Sequence, residues 1–131
     1  MNIDFTISGT RLVVTASGAF DLSLSVNKFS SILSFCRMYS LDQVLIDFRD
    51  MDDKMFATAE IMYAHNISRL YQQHLEQGGE SVRIAYLGPD TYIRDSMPGL
   101  GIARAGGLEV LTTSDFPMAL QWLEASGSFA S

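Results

Sequence analysis

One cysteine, two histidines and nine basic residues are all that this 131-residue sequence holds for disulfides, thiolate or imidazole metal ligation, or polyanion binding. The lone Cys36 excludes an intrachain disulfide and a zinc site built on several cysteines. His65 and His74 fall in one helical stretch and point about 180° from each other at 3.6 residues per turn. They therefore cannot ligate a metal as an i, i+4 pair. The nine lysines and arginines stand singly among 15 acidic residues, for a net charge of −6. That balance disfavours nucleic acid and acidic lipid surfaces as partners. No apolar run approaches the roughly 18–20 residues of a membrane span, and no charged stretch precedes an apolar one at Met1. A Gly-x-Ser-x-Gly elbow and a Ser/His/Asp set are also missing, which removes most hydrolase chemistry. What is present is a globular composition, 47% hydrophobic and 18% charged. The expectation is a soluble cytoplasmic protein with one domain over residues 1–126 and a frayed tail at 127–131.

Ile3, Phe5 and Ile7 alternate with Asp4, Thr6 and Ser8, the period of a half-buried strand. Gly9 and Thr10 turn the chain into residues 11–17, completing a β-hairpin. Gly18 breaks that strand, and Asp21 or Ser23 caps a helix over 22–39 with Leu22, Val26, Phe29, Leu33 and Cys36 in its stripe. An apolar run at 43–48 reads as a buried strand, followed by an acidic loop at 50–54. A long helix over about 56–77 places Ala57, Ile61, Ala64, Ser68, Tyr71 and Leu75 on its packing stripe. In that phase His74 faces solvent and His65 borders the core. Gly78 and Gly79 stop the helix. Residues 81–87 make a fourth strand, 91–97 a short helix broken by Pro98 and Gly99, and 108–113 a fifth strand. Ser114 caps the last helix, with Pro117 tolerated in its first turn. The order β-β-α-β-α-β-α-β-α, with right-handed crossovers, predicts an α/β domain: a five-stranded mixed sheet with its main helices on one face.

Three stretches in this order resemble the STAS, or SpoIIAA-like, domains, the fold of bacterial anti-sigma-factor antagonists and of the cytoplasmic tails of sulphate transporters. Val14-Thr-Ala-Ser-Gly-Ala-Phe-Asp21 is similar to the family's second strand and the Gly-x-x-Asp that opens its first helix. Val44-Leu-Ile-Asp-Phe48 is similar to its central strand, and residues 108–123 to its last strand and helix. The resemblance spans roughly residues 3–123 and implies a non-enzymatic regulatory or protein-interaction domain, without cofactor or metal. In regulatory members a Asp-Ser-Ser-Gly-like stretch at a helix start carries the phosphorylated serine. Here Asp52-Asp-Lys-Met-Phe-Ala-Thr-Ala-Glu60 holds neither serine nor glycine, so Thr58 is the nearest hydroxyl and the phosphosite candidate. The long second helix, with Tyr63-Ala-His-Asn-Ile-Ser-Arg-Leu70, resembles a divergent STAS-like branch. That branch is akin to CRAL-TRIO lipid-carrying domains, so the alternative function is a carrier or sensor of a small apolar, lipid-like ligand.

The densest polar feature is the carboxylate group Asp47, Asp50, Asp52 and Asp53 near the end of a parallel strand. A divalent-metal or phosphoryl site there would also need a lysine on a later strand, and those strands end in Tyr86-Leu-Gly and Leu111-Thr-Thr. A solvated loop that favours a helix N-terminus explains it better, with Asp50, Asp52, Asp53 and Lys54 as partner-docking candidates. Cys36 reads as a small buried hydrophobe, not a nucleophile. The glycines at 99–107 read as turn and cap glycines, because the stretch follows a proline and leads into a strand.

Two helices carry large apolar residues off their stripes: Leu24, Phe35 and Met38 on the first, and Met62, Tyr63 and Leu70 on the second. Such residues imply either a helix phase slightly different from the one assigned or a second covered face, against a second copy in a two-fold dimer, against another protein, or around an apolar ligand. A cavity lined by Phe29, Phe35 and Phe56 would favour the ligand. A metal at Asp47 and Asp50 would favour an enzyme using the acidic loop at 47–53.

Overall fold

Among the residues that the computed structural model describes, 1–51, 57–90 and 97–128, the chain alternates strands and helices in the expected order. The elements are β1 (Asn2–Ser8), β2 (Arg11–Gly18), α1 (Leu22–Tyr39), β3 (Gln43–Met51), α2 (Ala57–Glu76), β4 (Arg83–Leu87), α3 (Met97–Ala105), β5 (Glu109–Thr113) and α4 (Phe116–Ser128). The strands lie side by side in sequence order in one sheet. β1 pairs antiparallel with β2, and β2 through β5 are parallel neighbours. The hairpin loop is two residues long, since Ser8 faces Arg11, and Gly9 takes a φ of +62° at its first position. Two-residue loops whose twist matches the strands need that positive φ, and glycine reaches it without a Cβ clash.

The residues of β3 explain the layering. Val44, Leu45 and Ile46 are all buried, as expected for a strand covered on both faces. Their side chains alternate: Val44 and Ile46 join a large cluster with Leu12, Val14, Ile84 and Val110, while Leu45 joins Ala85 and Leu87 on the other side. The first cluster is closed by Phe29, Ile32 and Leu33 of α1, Ile67 and Tyr71 of α2, and Leu100 and Ala103 of α3. The second is closed by Ala119 and Leu123 of α4. Among the described residues, three helices thus pack on one face and the C-terminal helix on the other.

Local chemistry fixes the helix ends. Asp21 Oδ1 accepts the Leu24 N–H at 3.0 Å and caps α1, and Ser40 ends it in the left-handed conformation with φ +55°. α2 ends where Gly78 turns to φ +87° and the Gly79 N–H reaches the His74 carbonyl at 2.8 Å.

Several sequence expectations need correction. The buried stripe of α2 is Glu60, Ala64, Ile67, Tyr71 and His74: Ala64 and Tyr71 stand as expected, while Glu60, Ile67 and His74 take the places of Ile61, Ser68 and Leu75. His74 is therefore buried, His65 is exposed, and Leu75 is 37% exposed. Pro98 and Gly99 do not break a helix but stand in the first turn of α3, where a proline lacks no needed N–H. Gly99 and Gly101 are accordingly helical, not turn residues. Asp115, not Ser114, caps α4: its Oδ1 accepts the Met118 N–H at 3.1 Å, while Ser114 donates to Asp90. β3 is longer than expected and β4 starts two residues later. α4 runs on to Ser128, into the expected tail, and 129–131 lie outside the described residues, as do 52–56 and 91–96.

Candidate functional site

A register shift in the centre of the sheet shapes the site. Thr15 pairs with Asp47 but Ser17 pairs with Asp50, so β3 holds one extra residue there. In a regular strand, positions three apart face opposite sides. The bulge lets Phe48 and Met51 turn to the same side, towards the helices α1 to α3. Between that part of the sheet and the three helices lies a cavity of about 110 Å³. It sits towards the C-terminal ends of the parallel strands, where Phe48, Tyr86 and Thr112 form its floor. α/β sheets place ligands at that end.

Each helix contributes small or apolar side chains to the cavity wall: Ile32 from α1, Ala64 and Ile67 from α2, and Leu100 and Ala103 from α3. The polar groups are few. The Tyr63 and Tyr86 hydroxyls lie 2.7 Å apart, with the two rings edge to face at 6.3 Å. Phe48 packs edge-on against Tyr86 at 6.3 Å. Burial pushes the Tyr63 hydroxyl up to about 12, only partly offset by its bond to Tyr86. Glu60, buried in the first turn of α2, accepts the Gly99 N–H at 2.9 Å through Oε1. A Cβ at Gly99 would overlap that carboxylate, so the glycine lets α3 approach α2. Lys28 of α1 completes the charged lining, one turn from Ser25 and Ile32 on the same stripe.

The acidic group behaves differently. Asp47 sits on the α4 side of the sheet, where the Arg49 guanidinium binds it through two contacts of 3.0 and 2.8 Å. Burial pushes the Asp47 carboxyl up, but the hydrogen bonds and charge of Arg49 together outweigh it and hold the carboxyl below its ordinary value. Arg49 also lies 5.6 Å from the Phe116 ring centre. Asp50 is exposed, and Asp52, Asp53 and Lys54 lie outside the described residues. No group of three metal-ligating side chains occurs among the described residues. Thr58 falls in the first turn of α2, and its side chain lies outside the description.

The expected second face divides. Phe35, Tyr63 and Leu70 pack against the main core. Leu24 is half-buried, whereas Met38 and Met62 are 70% and 48% exposed. Phe35 stacks on Tyr39 at 5.7 Å and meets Phe5 edge-on at 5.2 Å, so these rings lead from the core to an exposed end of α1. Cys36 is buried, and burial pushes its thiol up to about 12, against a smaller opposing pull from Arg37. The cavity exists, but not where Phe29 and Phe35 were expected to line it. Phe29 is wholly buried in the core, Phe35 faces Phe5, and Phe56 lies outside the described residues. Lys28 and Glu60 were missed as lining residues. The i, i+4 spacing of Glu60 and Ala64 was the available signal, hidden because a carboxylate is not counted as a core residue.

No helix among the described residues is long and apolar enough to cross a membrane. No protein-family model matches the sequence, and no curated protein matches it. Solved structures do match in shape. The unphosphorylated form of the anti-sigma factor antagonist SpoIIAA superposes with a TM-score of 0.60 over 95% of this chain and 97% of its own, at 10% identity. An anti-sigma factor antagonist from Mycobacterium paratuberculosis gives a TM-score of 0.56 over 94% and 93%, at 11% identity. At such identities the likeness speaks for architecture alone, and the architecture is that of the STAS, SpoIIAA-like fold.

Proposed function

We propose that this chain is a non-enzymatic STAS-like regulatory domain that works by docking protein surfaces, in the cytoplasm and without the serine switch. The observation that carries it is the near end-to-end match to two anti-sigma factor antagonists, over more than nine-tenths of each chain. The stretch that should hold a phosphoserine has only Thr58, beside Asp52, Asp53 and Glu60. A phosphate there would add about −1.5 to −2 charges to a stretch of sequence that already holds three acidic residues, which disfavours one. Asp50, near the end of β3, and Asp52, Asp53 and Lys54 after it in the sequence remain the docking candidates.

The finer reading is self-association as a two-fold dimer through the exposed end of α1. Met38 and Tyr39, 70% and 51% exposed, extend the Phe5–Phe35 ring contact to the surface. Covering a large apolar side chain contributes about 1.5–3 kcal/mol before association costs. Of the other candidates, Met62 stands exposed near the opposite end of α2, Leu24 is half-buried, and Tyr63 and Leu70 serve the core. The test is sedimentation of the wild-type chain and of Met38→Asp. A dimer that the substitution dissociates, with unchanged circular dichroism, supports the reading; a wild-type monomer at tens of micromolar ends it.

A second reading has its own support. The cavity of about 110 Å³ under α1 to α3 suits a carrier or sensor of a small apolar ligand. Native mass spectrometry of the purified chain tests both readings, by reporting oligomer mass and retained ligand together.

A further inference from the structure

Resting on the ligand reading, we propose that the cavity takes a short-chain or single-ring monocarboxylate, its apolar tail among the core side chains and its carboxylate on Lys28. The size sets the tail. An apolar cavity of about 150 Å³ stays dry and accepts a benzene, so one of about 110 Å³ holds a tail of similar or slightly smaller bulk. Ile32, Ile46, Ala64, Leu100 and Val110 offer that tail no hydrogen-bond partner. Filling such space restores the dispersion contacts that a gap forfeits.

The head group follows from the two charged side chains of the lining among the described residues. Glu60 is already engaged, its Oε1 on the Gly99 N–H at 2.9 Å, and its carboxyl group is pressed against that glycine. Lys28 differs. It is half-buried on the stripe that carries Ser25 and Ile32, and it makes no ion pair or hydrogen bond among the described residues. A lysine so placed lays its methylenes along the apolar wall and keeps its ammonium at the water-facing rim. An anionic oxygen arriving at that rim would gain a charge-assisted hydrogen bond. An alkylammonium ion would meet a like charge there. The Tyr63–Tyr86 hydroxyl pair adds a polar spot on the wall without adding charge.

The test is titration calorimetry of the full chain with hexanoate, hexanol and hexylamine, followed by amide chemical shifts for the wild type with hexanoate. The expected result is binding of hexanoate, with shifts at Ile32, Ala64 and Tyr63. Lys28→Gln should weaken hexanoate about tenfold, close to 1.4 kcal/mol, and leave hexanol unchanged. Ala64→Leu, which fills the cavity, should abolish binding of both; if that variant does not fold, Ala103→Val reads the same point. Equal affinity for hexanol, or preference for hexylamine, overturns the carboxylate assignment while the ligand reading stands. Absence of binding by all three at millimolar concentration overturns both. Undiminished hexanoate binding in the filled variant places the site elsewhere and overturns the proposal.

Discussion

The guanidinium of Arg37 lies 2.8 Å from Nδ1 of His74, across the gap between α1 and α2. Arginine has no acceptor, so Nδ1 must accept, and the ring proton sits on Nε2, which donates to the Glu80 carbonyl at 2.8 Å. The ring also stacks on Tyr71 at 5.8 Å. One neutral imidazole therefore ties two helices to the turn before β4. His74→Ala would remove that packing and leave the Glu80 carbonyl without its donor. The expected cost is about 3 kcal/mol, from the combined loss of a buried ring and a satisfied acceptor. Urea denaturation reads it; a loss below about 1 kcal/mol would show that the contact is incidental.

This contact also marks where the sequence could and could not be read. Strand alternation at 3–8 and the apolar run at 44–46 depend on neighbours in sequence, so the sheet and its order were legible. The phase of α2 was not. Counting apolar residues puts Leu75 inside, but Glu60 and His74 are buried because partners from other elements satisfy them: Gly99 for one, Arg37 and Glu80 for the other. Nothing within residues 57–76 announces those partners. The same holds for Pro98 and Gly99, which look like a break until Glu60 is seen to require a residue without a Cβ. The cavity draws its wall from the sheet and three helices, so no local pattern could outline it. Lys28 passed as one of nine scattered basic residues.

Two glycines should respond differently to the same substitution. At Gly79 a Cβ would overlap the His74 ring, which is held on both nitrogens and cannot withdraw. Gly79→Ala should therefore cost in the range of overpacked cores, about 1–3 kcal/mol. At Gly9 nothing lies within 4 Å, and the cost is only that of a positive φ of 62°, about 1 kcal/mol. Thermal melts of the two variants should rank Gly79→Ala as the less stable. The reverse order would contradict the packing around His74.

Acid should weaken the domain partly through Asp47. Its carboxyl is held below the ordinary value of 3.8 because the hydrogen bonds and charge of Arg49 outweigh the opposing burial. A depressed carboxylate binds fewer protons folded than unfolded, so its contribution is complete above 3.8 and disappears as pH falls through the lowered folded value. Asp47 is half-buried but Arg49 is exposed, and solvent screening limits the pair to a fraction of about 1 kcal/mol. Stability measured from pH 6 to pH 2 should fall less steeply in Asp47→Asn than in the wild type. Identical slopes would mean that the Arg49 contact does not persist in solution.

Cys36 gives a direct probe of how tightly α1 is held. The thiol is 3% exposed, and burial pushes it up to about 12, so thiolate is scarce at neutral pH and reagent cannot reach the sulfur. Reaction with an aromatic disulfide reagent then has to wait for α1 to lift from Val14 and Val44. That opening exposes part of the main core, so the labelling rate should fall orders of magnitude below that of a free thiol and rise steeply with urea. The carboxylate proposal sharpens the expectation. Ile32 lines the cavity one turn before Cys36 on the same helix, so a bound tail should hold α1 down. Hexanoate at saturating concentration should slow labelling by the factor 1 + [L]/Kd if the opening releases the ligand. It should have no such effect in Ala64→Leu. Immediate labelling of the native wild type would show instead that α1 does not close over the sheet as described.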